Sequence, residues 1–277
     1  MKNTLSNSKK VVVIVSVTSD IGMALAKRYA KDGYTVVGTY RSRVLLGKLK
    51  GMKNCHLFFC DISDKKSIGG FIEKYRKLGL PWDVFISCPC NPLPLKAFFE
   101  SGFDEWSGSV HVNSIEQLRL LHNIYPFRNK LRVLDVVFFA GGGVNNAVLR
   151  FSAYAVSKIM LIKMCEFLDA ENKNLNIFII GPGWTRTKTH EFVLRHVDKK
   201  DERRQKVLDF LKSGKGTSLE DIYGCIQWLC GQGKKVASGR NFSVVNDKWR
   251  SPLNKKLVKA LKKDSAMYKL RRHKNDW

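Results

Sequence analysis

Val11-Val12-Val13-Ile14-Val15 is an unbroken β-branched run, the pattern of a strand covered on both faces, as in a parallel sheet. Ile21, Ala24, Leu25, Arg28 and Tyr29 then recur at helical spacing until Asp32-Gly33 stops them. The same change of period repeats along the chain. Further strands are predicted at Tyr34 to Tyr40, Cys55 to Cys60, Trp82 to Ser87, Arg132 to Ala140, Asn176 to Ile180 and Asn241 to Val245. Helices fall between them: a short stretch after Tyr40, then Ser67 to Leu78, about Glu105 to Tyr125, residues 153 to 170, and Leu219 to Leu229. Strands alternating with helices predict an α/β fold, a doubly wound parallel sheet with right-handed crossovers. No repeat or low-complexity linker divides the pattern, so residues 1–247 are expected to form one domain, with 248–277 as a basic C-terminal extension. Ligands in such sheets bind beyond the carboxyl ends of the strands, which singles out the loops after Val15, Tyr40, Cys60, Ile86, Phe139 and Ile180.

The first of these loops, Ser16-Val17-Thr18-Ser19-Asp20-Ile21-Gly22, runs straight into a helix. A turn of small residues here lets the helix amino terminus offer unpaired N–H groups to a pyrophosphate. Only Gly22 of three expected glycines is present, and an ordinary strand-to-helix turn with Asp20 as N-terminal charge explains the segment about as well. At the end of the second strand, Arg41, Ser42 and Arg43 stand where an NAD-selective sheet places a carboxylate for the ribose hydroxyls. Guanidinium groups pair bidentately with phosphate, so NADP(H) is favoured over NAD(H); a merely solvated loop is the alternative. After the third strand, Asp61, beside Ile62, is placed to accept from an adenine amino group.

Tyr154 and Lys158 open the apolar helix four residues apart and share one face. An ammonium beside a phenol favours the phenolate, and such a pair can give a proton to a carbonyl oxygen or take it back. A Tyr-x-x-x-Lys match is common by chance; what gives it value is its place after the fifth strand of this pattern.

Taken together, these residues resemble the short-chain dehydrogenase/reductase family, from Val11 to about Asp247 and in the family's order. Ser16 to Gly22 resembles its T-G-x-x-x-G-x-G loop, Asp61 its adenine-contacting Asp, Asn113 its structural and catalytic Asn, and Tyr154 with Lys158 its catalytic pair. Pro182-Gly183-Trp184-Thr185-Arg186-Thr187 looks like its P-G-x-x-x-T nicotinamide loop, and Ser87 begins the segment corresponding to N-N-A-G. The resemblance implies a Rossmann fold and a cytoplasmic oxidoreductase that exchanges hydride between NADP(H), or NAD(H), and a small-molecule alcohol or carbonyl. It implies that Lys158 also holds the nicotinamide ribose, that Asn113 positions a relay water, and that Thr185 or Thr187 contacts the cofactor. Residues 184–216 correspond to a substrate lid. The glycine run and the carboxyl tail look like a divergent bacterial subgroup linked to surface-sugar biosynthesis. Three places depart from the family pattern: Gly141 stands thirteen residues before the Tyr, where a Ser is expected; Ser87-Cys88-Pro89-Cys90 replaces N-N-A-G; and Ser16 replaces the first loop glycine. Backbone N–H groups of the Gly141 turn, or Ser152, Asn145 or Asn146, are left to act for the missing Ser. The same departures motivate an alternative, a catalytically impaired dinucleotide-binding sensor or scaffold.

The formal net charge is +25 in 277 residues, which raises the question of a nucleic-acid or membrane partner. Divided along the chain, the excess is segmental: +3 on residues 1–10, +5 on 184–216 and +9 on 248–277. The lid's cations, Arg186, Lys188, Arg195, Lys199, Lys200, Arg203 and Arg204 among them, suit an anionic substrate or form a solvated face such as Asp198 to Lys206. Leu253, Leu257, Ala260 and Leu261 make an apolar stripe in the tail, expected to pack on the body or a neighbouring subunit. No nucleic-acid partner is therefore expected. The helix at 153–170 is apolar nearly all round, so a covering helix and a homo-oligomer are expected. Seven cysteines without a C-x-x-C pair read as reduced thiols, with no metal site. The first apolar run is too short to span a bilayer and no signal-peptide cleavage pattern follows it, so the expected location is cytoplasmic.

Overall fold

The computed structural model describes residues 9–197 and 199–272, and its centre is a seven-stranded sheet in the order β3-β2-β1-β4-β5-β6-β7. The strands are β1 (Val11–Val15), β2 (Thr35–Tyr40), β3 (Cys55–Phe59), β4 (Val84–Ser87), β5 (Leu134–Phe139), β6 (Leu175–Gly181) and β7 (Asn241–Ser243). Every pairing is parallel, from Val13 opposite Val37 to Ile180 opposite Phe242. The expected doubly wound sheet is present, and its order reverses between β1 and β4, the switch point at whose carboxyl edge such sheets bind their ligands.

Ten helices complete the described chain: α1 (Asp20–Lys31), α2 (Lys65–Leu78), α3 (Phe103–Val110), α4 (Glu116–Ile124), α5 (Ser152–Glu171), α6 (Lys188–His196), α7 (Glu202–Ser213), α8 (Leu219–Gln232), α9 (Lys234–Ala237) and α10 (Asn254–Lys263). The β-branched run of β1 serves both layers. Val12 and Ile14 pack with Leu25 and Tyr29 of α1, Ile226 and Leu229 of α8, and Leu257 and Leu261 of α10. Val11, Val13 and Val15 face Ile68 and Phe71 of α2, Leu120 and Ile124 of α4, and Leu161 and Cys165 of α5. Burial on both faces explains why the strand shows no alternation with polar residues.

Several predicted boundaries need correction. The single helix from Glu105 to Tyr125 is two helices, α3 and α4, joined by a π-helical turn at His111–Ile115. A π turn frees backbone carbonyls from the helical ladder, and here side chains take them up: the Gln117 amide donates to Val112 O (3.3 Å) and Asn113 O (2.9 Å). Trp82 precedes β4 rather than starting it, because its indole donates to Ile124 O (2.9 Å) and its backbone N–H to Phe127 O (3.2 Å). Strand pairing to β6 begins at Leu134 rather than Arg132. The third strand ends at Phe59 and the last at Ser243, where Asp247 accepts the Ser243 N–H (2.7 Å) and turns the chain.

The basic extension joins the body. Trp249, Leu257 and Leu261 are buried in the same cluster as β1 and α8. Arg240, itself buried, donates to Val236 O (3.1 Å), Leu261 O (2.7 Å) and Asp264 O (3.0 Å), which places a cation at the carboxyl end of α10. On α5, Val156, Met160 and Phe167 remain exposed, so no helix of the described residues covers that side. No described helix is long and apolar enough to cross a membrane. The chain ends, 1–8 and 273–277, and Asp198 of the lid's charge run lie outside the described residues.

Candidate active site

The loop after β1 is built by a left-handed residue and a side-chain cap. Ser16 holds φ at +59°, its N–H donates to Thr39 Oγ1 (3.1 Å), and its carbonyl accepts from Ser19 N (2.9 Å). Ser19 then caps α1 by accepting from Gly22 N (3.1 Å). The turn is so tight that a Cβ on Gly22 would lie 2.5 Å from Ser16 O, which explains why this glycine survives. Thr18 and Ile21 line the same turn. Asp20, at the spacing of the loop's second glycine, points its carboxylate instead to the lid, where it accepts from Lys188 N (2.8 Å).

Arg41, Ser42 and Arg43 follow β2 on the surface, and neither arginine makes an ion pair with a described residue. Asp61 is half-buried and accepts from the Ser63 N–H (3.0 Å) and hydroxyl (2.7 Å), while Ile62 beside it is buried. Ser87 ends β4 with its hydroxyl on Gln117 Oε1 (2.7 Å). Two strands further along the sheet, Pro182 and Gly183 lead the chain off β6. Thr185 is buried with an unpartnered Oγ1, and Thr187 stands at the start of α6 with its hydroxyl 3.5 Å from His190 Nδ1.

Asn113 is fully buried in the π turn. Its amide oxygen accepts from Asn91 N (2.8 Å) and its amide nitrogen donates to Asn91 O (2.7 Å), so it clamps the loop after β4 by both backbone groups of one residue. Gln117 adds a bond to Pro89 O (3.2 Å). Sequence reasoning missed this role of Gln117, although its spacing of four from Asn113 puts both on one helix face.

Tyr154 and Lys158 project together from the first turns of α5. Lys158 is 2 % exposed, makes no hydrogen bond to a described residue, and lies with Nζ 5.5 Å from the centre of the Tyr154 ring. Burial lowers its ammonium pKa, against the opposing pull of Cys90 and Cys88. Burial and the neighbouring Cys90 push the Tyr154 phenol well above its ordinary value. Cys90 as an electrostatic neighbour of the Tyr154 phenol and of Lys158 was not foreseen; the altered loop Ser87 to Cys90 was the signal.

Gly141 has a physical reason to be glycine. A Cβ there would lie 2.1 Å from Tyr154 Oη and 2.4 Å from Tyr154 Cε1, so the phenol itself fills the space a serine side chain needs. Of the side chains considered as substitutes, Ser152 accepts from the Trp106 indole (3.0 Å), and Asn145 and Asn146 are exposed. The Gly141 and Gly142 N–H groups have no partner among the described residues.

Cys90 is the exposed one of the seven cysteines. Although the residue is exposed, the protein packed about the thiol desolvates it and raises its pKa, with Lys158 and Tyr154 pulling the other way. Iodoacetamide is therefore expected to label Cys90 ahead of the other six, slowly at neutral pH and faster as pH rises, because the thiolate is the nucleophile. Peptide mapping after limited alkylation checks this, and earlier labelling of a buried cysteine would contradict it.

A tight turn at a helix amino terminus, a lysine ammonium beside a phenol, and a threonine hydroxyl without a partner follow β1, β5 and β6 at the carboxyl edge of one parallel sheet. These features define a dinucleotide-dependent α/β enzyme. Residues 15–246 match the family model described as enoyl-(acyl carrier protein) reductase. The chain belongs to the short-chain dehydrogenase/reductase family, oxidoreductases acting on CH–OH groups with a nicotinamide dinucleotide. It is 26 % identical over 189 residues to an uncharacterized oxidoreductase of Bacillus subtilis, a match covering 65 % of this chain and 71 % of the relative. A serine 3-dehydrogenase of Rhizobium radiobacter is 24 % identical over 241 residues, covering 81 % and 89 % of the two chains. Against an uncharacterized oxidoreductase of Mycobacterium tuberculosis the match, 27 % identical, spans 61 % of this chain and 52 % of the relative. Among solved structures, an actinorhodin polyketide ketoreductase with NADPH superposes with a TM-score of 0.76 at 20 % identity, covering 85 % and 95 %. A Saccharomyces cerevisiae short-chain dehydrogenase/reductase gives 0.77 at 18 %, covering 87 % and 98 %.

Proposed function

We propose that the chain is an NADP(H)-dependent oxidoreductase that interconverts a hydroxyl and a carbonyl, with Tyr154 as acid/base. The observation that carries this reading is Lys158, a buried ammonium whose Nζ neighbours the Tyr154 ring and which has no hydrogen-bond partner in the described chain. The little surface that Lys158 keeps leaves its ammonium able to meet a ligand, and ribose hydroxyls at that position would supply the hydrogen bonds it lacks. The other residues fit the cofactor in the same way. Ser16, Thr18, Ser19, Ile21 and Gly22 form the phosphate turn, Asp61, Ile62 and Ser87 line the adenine side, and Pro182, Gly183, Thr185 and Thr187 stand at the nicotinamide end.

The dinucleotide supplies or accepts the hydride; the chain supplies the proton and the geometry. Tyr154 hydrogen-bonds the substrate oxygen and protonates it as the alkoxide forms, and Lys158 stabilises the phenolate left behind. The free N–H groups of Gly141 and Gly142 are the donors available for that oxygen in place of a serine. Asn113 holds the loop after β4 against the site.

Arg41 and Arg43 support NADP(H), since both are exposed at the end of β2 and neither makes an ion pair with a described carboxylate. Replacing both by Ala is expected to raise the Kd for NADPH by about 10- to 100-fold, the loss of one or two charge-assisted bonds, and to change NADH binding less than about threefold. Equal weakening of both would remove the selectivity argument. Saturating NADPH is also expected to protect Cys90 from alkylation.

The substrate is an anionic or sugar-type metabolite in this reading. An open cavity of about 330 Å³ lies between the lid and the loop after β4, with Lys96, Arg150 and His196 on its wall beside Glu100 and Asp201; Tyr154 and Lys158 do not line it, so its cations support an anionic substrate only as a part reaching out under the lid. The lid's charge is already partly spent: Arg203 is 2.6 Å from Asp201, whose carboxyl it holds down at about 2, and Arg150 is 3.5 Å from the same group. The exposed apolar stripe on α5 supports a homo-oligomer. One observation favours the second reading, a dinucleotide-binding protein without turnover: the Tyr154 hydroxyl is packed on Gly141, where a substrate-binding serine is expected. Oxidation of NADPH by the purified protein with any member of a panel of carbonyl compounds decides against it.

A further inference from the structure

We infer that Asp20 is a positioning residue that ties the substrate lid to the phosphate loop. By sequence it belongs to the loop after β1, yet its carboxylate reaches the first residue of α6. Oδ2 accepts from the backbone N–H of Lys188 at 2.8 Å, and Oδ1 lies 3.8 Å from Lys188 Nζ.

The bond answers a local need. Lys188 is the first residue of α6, and the first N–H groups of a helix have no partner within it. Thr187 stands at the capping position but makes no side-chain cap bond. Asp20 provides that cap from another element, across 168 residues of sequence. A carboxylate at a helix amino terminus also interacts favourably with its dipole, and Asp20 sits at the starts of both α1 and α6. None of the residues of α6 is fully buried, though Phe192, Val193 and Leu194 are half-buried; its contacts to other elements include His190 against the Trp184 and Phe210 rings and the Arg204 guanidinium on Leu194 O.

The same carboxylate bears on the cofactor. The start of α1 is where the fold offers N–H groups to a pyrophosphate, and a fixed negative charge there opposes a second one. Asp20 therefore trades dinucleotide affinity for lid order, and Lys188 offsets part of its charge. Removing the side chain is expected to loosen the lid and tighten the dinucleotide at once, two changes of opposite sign from one residue.

The lid half of this inference stands on the bond alone; the affinity half rests on the NADP(H) reading above. Hydrogen exchange of the full chain without dinucleotide tests the first. In Asp20→Gly, amides of residues 188–196 are expected to exchange at least about tenfold faster, with α5 unchanged. Asp20→Asn keeps an acceptor oxygen without the charge and is expected to stay within about threefold of the parent. Equal exchange in Asp20→Gly and the parent, or equally fast exchange in Asp20→Asn and Asp20→Gly, overturns the anchor. NADPH titration tests the second half: both variants are expected to bind several-fold tighter, and unchanged or weaker binding overturns it. If the parent and both variants bind no NADPH while the exchange result holds, the cofactor reading fails and the lid anchor stands.

Discussion

Tyr154→Phe is expected to lower turnover by about 10²- to 10⁴-fold, the usual worth of a positioned general acid, while NADPH binds with a Kd within about twofold of the parent. The phenylalanine ring fills the same space against Gly141 and over Lys158, so the fold and the dinucleotide site are left intact. Only the proton is lost. In the parent, burial and Cys90 hold the phenol protonated through neutral pH, which is the form that carbonyl reduction uses. The reduction rate is therefore expected to be flat through neutrality and to fall only as pH rises through the raised Tyr154 pKa; the reverse reaction gains over the same range. Single-turnover kinetics with a bound dinucleotide separate chemistry from binding. Turnover in Tyr154→Phe near that of the parent would remove Tyr154 from the mechanism.

The second large effect runs against analogy. Gly141→Ser restores the residue that the family pattern places there, yet it is expected to reduce activity by about 10²-fold. Its Cβ would start 2.1 Å from Tyr154 Oη, so the ring or the glycine turn must shift. A displacement of about 1 Å at a reacting group costs a factor of this order. Overpacking at such a site also costs stability, about 1–3 kcal/mol. Thermal unfolding and steady-state kinetics on the same preparation give both numbers. Activity at or above the parent level would mean that the phenol adopts another position once a serine is present.

Much of the fold was legible because the sheet is parallel and doubly covered. A β-branched run such as Val11 to Val15 admits few other readings, and glycine stops such as Gly33 mark helix ends. Boundaries failed where side chains compete with the backbone ladder. The π turn at Asn113 depends on Gln117 taking freed carbonyls, and periodicity through Glu105 to Tyr125 carries no mark of that. In the site, spacing put Tyr154 and Lys158 together because one helix carries both. Relations between distant segments were invisible: Asp20 with Lys188, Asn113 with Asn91, and Tyr154 with Gly141 and Cys90. The missing serine was noticed from sequence, but its cause, a phenol already occupying the space, exists only in three dimensions.

The net charge of +25 invites a deletion experiment, since the last thirty residues carry more of the excess than any other segment. The fold argues against it. A chain cut at residue 247 would open the groove that Trp249, Leu257 and Leu261 fill, and it would strand the Arg240 guanidinium without two of its three carbonyl acceptors. Loss of any polyanion binding after such a cut would report unfolding as readily as charge. Exchanging Lys255, Lys259 and Lys262 for glutamine leaves the buried side of α10 in place and is the cleaner way to ask what the basic end does.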